Sequence, residues 1–331
     1  MTAPVPMVEL WRGGLLESTH TGHAVICDAG GGIVEAWGDP AAVIFPRSSC
    51  KMLQALPLLE SGAADAAGLT QAQLALACAS HQGAAIHTHA VTDWLAALGM
   101  GEADLRCGSH VPADTDERDR LILAHEAPCQ IHNNCSGKHS GFLTLARHLK
   151  AGPEYVELDH PVQRAVKDAF EEVTAETSPG HGIDGCSAPN FATSVHGLAR
   201  SMAFFAAAED AGDARSRAAY RLTRAMAAFP EMVAGEGRAC TELMRAMDHR
   251  VAIKTGAEAV FVAIIPARKM GIALKITDGG TRASEAAICA LLVRLGVLDA
   301  AHPATQKRLN TVQRNWRGFE TGILHTAPGF C

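Results

Sequence analysis

The chain has 331 residues, of which 48% are hydrophobic and 19% are charged, and this balance excludes an intrinsically disordered protein. The net charge at pH 7 is −6, and the lysines and arginines are scattered, which excludes the dense basic surface that binds nucleic acid or an anionic membrane. The length suits one large domain or two ordinary ones.

The N-terminal sequence and the cysteines point to a reducing compartment. The opening residues, MTAPVPMVELWRGG, lack the basic start and apolar core of a signal peptide, and no apolar run approaches the roughly 18 residues of a membrane span. Ten cysteines are spread from Cys27 to Cys331 without the tight spacing of a disulfide framework. We therefore expect a cytoplasmic protein with reduced thiols and no membrane or nucleic-acid partner.

Strand-like sequence lies at both ends of the chain. The segment HAVICDAGGGIVEAWG, residues 23–38, predicts two short strands joined by a glycine-rich turn. Residues 257–280 predict a second pair, because Ile272, Leu274 and Ile276 alternate with smaller or polar residues as in a half-buried strand.

Helical candidates fill the middle of the chain. They are residues 48–61, 71–79, 87–99, 137–150, 160–176, 214–229 and 282–296. Two isolated hairpins would each be marginal, whereas one antiparallel sheet shared by both ends would be stable under packed helices. We predict an α+β fold in a single unit, with a sheet from about 1–45 and 250–331 and a helical lobe from about 46–249.

Two lysine motifs suggest an activated serine. The stretch FPRSSCKMLQ, residues 45–54, places Ser48 three residues before Lys51, on one face of a helix. Lys254-Thr255-Gly256 precedes a predicted strand. A Ser-x-x-Lys helix followed by a Lys-Thr-Gly strand is the pattern of serine β-lactamases and penicillin-binding proteins, in which a neutral amine takes the proton of the nucleophile. Either motif alone would equally be a polar turn.

Further polar residues cluster elsewhere in the chain. The usual Ser-Asp-Asn element is missing, but CASHQG, residues 78–83, offers Ser80. The run IHNNCSGKHSGF, residues 131–142, places more polar groups before an apolar helix than capping requires. Cys135 in this run and Cys186 in GIDGCSAPNF could be metal ligands, although their spacing is equally compatible with structural thiols.

These segments together resemble a known family. In this order and over roughly residues 8–330, PRSSCK, ASHQG, NNCSGKHSGF, GIDGCSAPNF, GEGRAC and IKTGAEAVF resemble the rhizobial-type, class 3 L-asparaginases. The run NNCSGKHSG is highly specific to that family, whose fold is similar to that of the serine β-lactamases. The resemblance implies a homodimeric hydrolase that converts L-asparagine to aspartate and ammonia.

The resemblance implies two Ser–Lys pairs that meet in one pocket. Ser48 and Lys51 match the first pair, and Ser80 and Lys254 match the second. We favour Ser48 as the nucleophile, because its lysine is local and on the same predicted helical face. The residues of the sequence do not rank the two serines further.

The resemblance also implies a zinc site and substrate-binding residues. Its zinc ligands match Cys135, Lys138 and Cys186, and the ion assists substrate binding more than chemistry. Two more matching residues are His139, close to the substrate, and Cys240, an active-site thiol.

Two charged residues suit the ends of the asparagine molecule. Arg47 suits its α-carboxylate, because a guanidinium is a fork-shaped donor, and Asp184 suits its α-ammonium. Structural ion pairs would explain both residues equally well. The sequence offers no role for Cys50.

Three alternative functions remain open at this level. A glutaminase of the same fold would use the same residues. A penicillin-recognising hydrolase fits both lysine motifs but not the missing Ser-Asp-Asn element. A zinc- or amino-acid-binding module would have the same β-lactamase-like scaffold and would bind its ligand without turnover. An assay of ammonia release by the purified protein is the cheapest test among these alternatives, and competition between asparagine and glutamine separates an asparaginase from a glutaminase.

Overall fold

The computed structural model describes residues 2–331. The chain divides into two compact units, which are treated separately below. The sheet unit contains the residues up to Ser49, Thr193–Ala207 and Glu242–Cys331, and the helical unit contains Cys50–Ala192 and Ala208–Thr241.

The strands follow one another along the chain with helices between them. Their bounds are β1 (Val5–Arg12), β2 (Leu15–Cys27), β3 (Ile33–Trp37), β4 (Val43–Ile44), β5 (His181–Ile183), β6 (Pro189–Phe191), β7 (Thr193–Ser194), β8 (Ala252–Thr255), β9 (Val260–Ile265), β10 (Met270–Ile276), β11 (Thr311–Arg314) and β12 (Glu320–Thr326).

The α-helices are mostly short. Their bounds are α1 (Lys51–Gln54), α2 (Leu56–Glu60), α3 (Ala63–Ala66), α4 (Gln71–Ala77), α5 (Ala85–Ala97), α6 (Thr115–Leu123), α7 (Ser136–His148), α8 (Pro161–Thr174), α9 (Val195–Ala207), α10 (Ala214–Ala228), α11 (Pro230–Val233), α12 (Ala239–Ala246), α13 (Thr281–Arg294) and α14 (Pro303–Leu309). Among residues 2–331, none of the helices combines the length and the apolar character that a membrane span requires.

One antiparallel sheet joins both ends of the chain, which confirms the predicted α+β fold. Its strand order is β11-β12-β1-β2-β10-β9-β8. In addition, β3 pairs with the C-terminal end of β2, residues 24–27. β1 pairs with β12 on one side and with β2 on the other, and β2 then pairs with β10. The hairpins predicted at residues 23–38 and 257–280 are therefore neighbours, because β2 and β10 share an edge.

Helix α9 belongs to the sheet unit, although the sequence placed residues 193–207 in the helical lobe. It packs against β10 and β2. Gly271 makes this approach possible, because a Cβ atom there would lie 2.1 Å from the backbone nitrogen of Ala203. Helix α13 also packs against the sheet, on β9, β10 and β1.

Helix α7 is the centre of the helical unit. Its first eleven residues are all buried, and it contacts α2, α3, α4, α5 and α8. Gly137 lets α7 cross the end of α4 closely, because a Cβ atom there would lie 2.4 Å from the carbonyl oxygen of Leu76. This crossing brings the segment after α4, which contains Ser80, to the N-terminus of α7.

The seven predicted helices are present, with one break. Residues 48–61 form a 3₁₀ turn (Arg47–Cys50), α1 and α2, because the chain turns at Ala55 and Pro57 lies in the first turn of a new helix. The sequence did not predict α3, α6, α9, α11 and α14, most of which are too short to show a periodic pattern.

Candidate active site

Lys51 lies at the N-terminus of α1 and is 1% exposed. Its Nζ donates to Ser80 Oγ at 3.0 Å, to Cys135 Sγ at 3.0 Å, and to the carbonyl oxygen of Ala79. A buried amine that has lost its water needs such partners. Lys51 therefore connects the serine after α4 with the cysteine before α7.

Backbone hydrogen bonds hold Ser80 in place. Its N–H donates to the carbonyl oxygen of Val233 at 2.9 Å, and the N–H of Gln82 donates to the carbonyl oxygen of Ala234 at 3.0 Å. The N–H of His81 donates to the carbonyl oxygen of Asn134 at 3.2 Å. The loop at residues 80–82 is thus fixed between the end of α11 and the segment that enters α7.

His81 connects the Ser80 loop to α7, and sequence reasoning did not identify it. The N–H of Gly83 donates to His81 Nδ1 at 3.1 Å, so the imidazole hydrogen is on Nε2, which donates to Ser136 Oγ at 2.9 Å. Burial lowers the pKa of His81 well below its usual value, so the ring is neutral. Its position next to Ser80 in ASHQG was the available signal.

The predicted zinc ligands lie together at the start of α7. Lys138 Nζ is 3.0 Å from Cys186 Sγ. The hydrogen bond with Cys186, together with burial, raises the pKa of Cys135, and the same bond lowers the pKa of Cys186. Burial lowers the pKa of Lys138, but the two sulfurs outweigh burial and leave that pKa raised. Deprotonation is therefore easier at Cys186 than at Cys135, and Lys138 favours its charged form beside the two sulfurs.

The donor atoms of Cys135, Lys138 and Cys186 determine whether this cluster suits zinc. Among residues 2–331 no three His, Cys, Asp or Glu side chains form a metal-binding group, and the implied set contains only two such residues together with Lys138. Two sulfurs and one amine nonetheless suit zinc, which accepts soft and nitrogen ligands. The residues fit the ion provided that Cys135 and Lys138 lose their protons on binding. The zinc site stays a prediction.

His139 presents one ring nitrogen without an oxygen or nitrogen partner. The N–H of Arg106 donates to the Tyr155 hydroxyl oxygen at 2.7 Å, and that hydroxyl lies 2.9 Å from His139 Nδ1. Burial lowers the pKa of His139 to about 4, so the ring is neutral and Tyr155 is its natural donor. The hydrogen is then on Nε2, which is buried without an oxygen or nitrogen partner in the described residues and interacts with the Cys186 sulfur, which raises the His139 pKa against burial. Sequence reasoning did not find Tyr155, which lies in an irregular segment.

A tight turn between β5 and β6 presents Cys186 and Asp184. The N–H of Ser187 donates to the carbonyl oxygen of Asp184 at 2.8 Å, and the N–H of Asp184 donates to the carbonyl oxygen of Ala188 at 3.0 Å. Ser187 has a φ of 68°, in the left-handed region. The Asp184 charge contributes to the raised pKa of Lys138, so this carboxylate acts on the same cluster.

The sheet unit carries the other predicted residues. Gly256, at the end of β8, lies against the turn that bears Arg47 and Ser48, because a Cβ atom on Gly256 would lie 2.7 Å from the carbonyl oxygen of Pro46. Ser49 closes that turn, because its Oγ donates to the carbonyl oxygen of Pro46 at 2.7 Å. The Lys-Thr-Gly strand and the Arg-Ser turn are therefore in contact.

Two residues of this region have unusual environments. Arg47 has a φ of 53°, a conformation that costs about 1 kcal/mol or more for a residue other than glycine. Lys254 is 1% exposed, and its Nζ donates to the carbonyl oxygen of Thr255 at 2.7 Å. Ser48 is partly exposed.

The remaining predicted thiols are buried. Cys240 lies at the start of α12, next to Thr241, whose Oγ1 donates to the carbonyl oxygen of Gly235 at 2.7 Å and closes the loop of GEGRAC. Burial raises the pKa of Cys50 to about 12, so this thiol stays protonated. Cys50 is therefore a structural residue beside Lys51.

Comparison with solved structures finds only distant similarity. A beta-lactamase from Mycobacterium bovis is 12% identical, with a TM-score of 0.48 over 84% of this chain and 95% of the other. The protein Mglu, in its tris and glutamate form, is 12% identical, with a TM-score of 0.49 over 90% of this chain and 63% of the other. A putative beta-lactamase from Bacteroides dorei is 10% identical, with a TM-score of 0.42 over 77% of this chain and 84% of the other.

Sequence comparison is more informative. No protein of curated function matches the chain. The family model of L-asparaginase II matches residues 8–326, which includes every residue discussed in this subsection. The chain therefore belongs to the L-asparaginase II family.

Proposed function

We propose that this chain hydrolyses the side-chain amide of L-asparagine to L-aspartate and ammonia. Membership of the L-asparaginase II family indicates a hydrolase that acts on amides of small molecules. The observation that carries the finer proposal is the contact between Lys51 Nζ and Ser80 Oγ at 3.0 Å, buried from water. An amine that bonds a serine hydroxyl can exchange protons with it during acyl transfer.

The proposed reaction has two halves. The lysine takes the proton of a serine hydroxyl as the serine oxygen attacks the carboxamide carbon. The C–N bond then breaks, and the lysine gives that proton to the leaving ammonia. Water then attacks the acyl-enzyme ester, and the lysine receives the proton and returns it to the serine. Ser48 is the favoured nucleophile from its match to the family motif, and the Lys51–Ser80 pair supplies a proton pathway. Lys254 is proposed as the second lysine.

Binding of the substrate's polar ends is assigned to three residues. Arg47 is proposed to bind the α-carboxylate, because a guanidinium can donate two parallel hydrogen bonds to it. Asp184 is proposed to bind the α-ammonium. His139 Nε2, which is buried without an oxygen or nitrogen partner in residues 2–331, is proposed to donate to a substrate oxygen.

The zinc ion is proposed as an aid to binding. Cys135, Lys138 and Cys186 would hold it, and a bound ion would supply positive charge close to an anionic substrate. Because the acyl transfer described above uses only serine and lysine groups, it needs no metal.

The decisive experiment is ammonia release from purified protein with asparagine or glutamine as the sole substrate, with the loss of the β-lactam absorbance measured separately for a penicillin. The proposal expects release from asparagine, weaker release from glutamine, and no opening of the penicillin ring. A preference for glutamine would identify a glutaminase, and binding of asparagine without ammonia would identify a non-catalytic module. A Lys51→Met variant that is inactive but folded is the matched control.

We also propose a homodimer, which the sequence resemblance implied, acting in the cytoplasm. The sheet unit exposes a row of apolar side chains at paired positions of four adjacent strands. The row contains the exposed Leu16, Ile323 and Val312, with the half-buried Trp11 between Leu16 and Ile323. Trp316, in the β11–β12 turn, is fully exposed. Apolar patches of this kind mark interfaces.

The charges beside this row favour a second copy of the chain as the partner. The ion pairs Arg12–Glu17 and Arg314–Glu320 place both signs of charge beside the row, so a copy related by a two-fold axis would meet complementary charge. Sedimentation should show a dimer that Val312→Lys weakens and that Val34→Lys, exposed on β3, leaves intact. A monomer at every concentration would contradict this assembly.

A further inference from the structure

A cavity that contains none of the residues assigned above lies in the helical unit, between α8 and the hairpin of β5 and β6. Its volume is about 350 Å³, which is within the size range of sites that bind small organic molecules. Its lining includes Leu158, Asp159, Arg164, Asp168, His181 and Phe191. The cavity therefore brings charged and apolar side chains together.

Two of these residues supply the apolar surface of the cavity. Phe191 is only 3% exposed, and its ring lies against that of Phe170 in α8, with the ring centres 6.0 Å apart. Leu158 is 39% exposed. The packed ring gives the cavity a fixed wall, and an apolar group that covered Leu158 would remove hydrophobic surface from water.

Two opposite charges of α8 line the cavity without pairing. Arg164 and Asp168 are four positions apart on one helical face, and both are exposed. Among residues 2–331, neither side chain has a hydrogen bond or an ion pair. A basic residue four positions before an acidic one is the weaker order for a helical ion pair, which agrees with their separation. Both charges are therefore available to a ligand.

The remaining charges decide which kind of ligand the cavity suits. Asp159 adds a second carboxylate that has no partner in the described part of the chain, whereas Lys167 Nζ lies 3.8 Å from Glu171 Oε1 and is partly compensated. A purely anionic ligand would meet two carboxylates, and a purely cationic ligand would meet a guanidinium. A zwitterion matches both signs of charge.

Hydrogen bonds hold the loop before β5 against α8. The N–H of Ser178 donates to Glu171 Oε1 at 2.9 Å. The Ser178 hydroxyl shares its hydrogen between the carbonyl oxygens of Gly180 and Ala192, each at 2.8 Å. The two sides of the cavity are thus tied together, so a ligand would meet walls that are already in place.

We propose that this cavity binds a free α-amino acid with an apolar side chain. The Arg164 guanidinium donates to the α-carboxylate of the ligand, and the carboxylates of Asp168 and Asp159 accept from its α-ammonium. The apolar side chain of the ligand covers Leu158 and Phe191.

The cavity shares a structural element with the candidate active site. His181 and Phe191 are paired across the β5–β6 hairpin, and the turn of this hairpin carries Asp184 and Cys186. An amino acid held against these strands would therefore lie within one hairpin of the candidate active site.

The test is titration of the full chain with L-phenylalanine, followed by ligand-observed NMR. We expect saturable binding to one site per chain with a Kd of about 1 mM. Phenethylamine lacks the carboxylate, 3-phenylpropionate lacks the ammonium and glycine lacks the apolar side chain, so each should bind about tenfold more weakly. Absence of saturable binding, or equal binding of phenethylamine or 3-phenylpropionate, would overturn the proposal.

Variants locate the binding site. Arg164→Gln and Asp168→Asn should each weaken phenylalanine binding by about tenfold or more. Arg224→Gln removes an exposed arginine of α10 that does not line the cavity, and it should leave binding unchanged. Unchanged affinity in both α8 variants would reject the site.

The candidate active site is separated from this cavity by a second titration. In Lys51→Met, an excess of L-asparagine should leave phenylalanine bound, and displacement would place phenylalanine in the active site and contradict the proposal. The α8 variants are measured without asparagine, so their result stands even if the proposed function fails.

Discussion

Lys51 and Ser80 are 29 positions apart in the chain, yet Lys51 Nζ donates to Ser80 Oγ at 3.0 Å. The sequence motif pairs Lys51 with Ser48 instead. The structure thus gives the lysine of the first motif a buried contact with the serine of the second.

Removal of the amine should abolish turnover. Lys51→Met keeps the length and the apolar stem of the side chain but loses the proton carrier that bonds Ser80. We expect kcat for asparagine to fall by about a thousandfold or more. Steady-state ammonia release measures this, with circular dichroism as the check on folding. A folded variant with more than about a tenth of the activity would exclude Lys51 from the chemistry.

The two serines can be ranked by trapping the acyl-enzyme. Ser48→Ala and Ser80→Ala should each lower kcat by several orders of magnitude, because one loses the nucleophile and the other the proton pathway. Mass spectrometry of protein quenched during turnover should locate the acyl group on Ser48. An adduct on Ser80, or a Ser48→Ala variant with more than about a tenth of wild-type turnover, would make Ser80 the nucleophile.

Arg47 offers a clean test of carboxylate binding. Its φ of 53° is one that glycine adopts without strain, so Arg47→Gly removes the guanidinium and keeps the backbone. We expect KM for asparagine to rise strongly while the unfolding midpoint holds or increases. Arg47→Ala should raise KM similarly but also lower stability. An unchanged KM in both variants would leave Arg47 with a structural role only.

Zinc binding should be stoichiometric and sensitive to pH. Elemental analysis is expected to find about one zinc per chain in the wild type and none in Cys135→Ala. Bound zinc keeps the thiol and amine ligands deprotonated, so protons compete as the pH falls and zinc affinity must decrease towards acid. The stripped protein should keep its kcat and show a higher KM. Loss of kcat on chelation, with the fold intact, would make the ion catalytic.

Gly256 should tolerate no side chain. A Cβ atom there would lie 2.7 Å from the carbonyl oxygen of Pro46 and 3.0 Å from the nitrogen of Ser49. We expect Gly256→Ala to lower the free energy of unfolding by about 1–3 kcal/mol and to reduce activity by displacing the turn of Ser48. Gly152→Ala, which meets no atom within 4 Å, is the matched control and should shift stability by less than about 0.5 kcal/mol. Denaturant unfolding measures both.

Local sequence signals were sufficient for the α+β class, and the family resemblance supplied most of the candidate site but neither His81 nor Tyr155. Alternation in β10 and the amphipathic stripe of α8 predicted their elements, because side-chain periodicity is a local property of the chain. The short helices α3 and α11 carry too few turns to show a period, and β11 and β12 have one fully buried residue between them, so these were missed. Motif resemblance identified Ser48, Lys51 and Cys135 without any knowledge of their contacts.

Tertiary structure decided which of these residues touch. The contact between Lys51 and Ser80 depends on α7 crossing α4 at Gly137, and no local pattern encodes a crossing between helices so far apart in the chain. The tautomers of His81 and His139 follow from partners that only packing supplies. Composition and periodicity therefore determined most elements of this protein. Burial and long-range contact decided which polar groups touch and where their protons lie, because charge and proton position depend on neighbours brought together by folding.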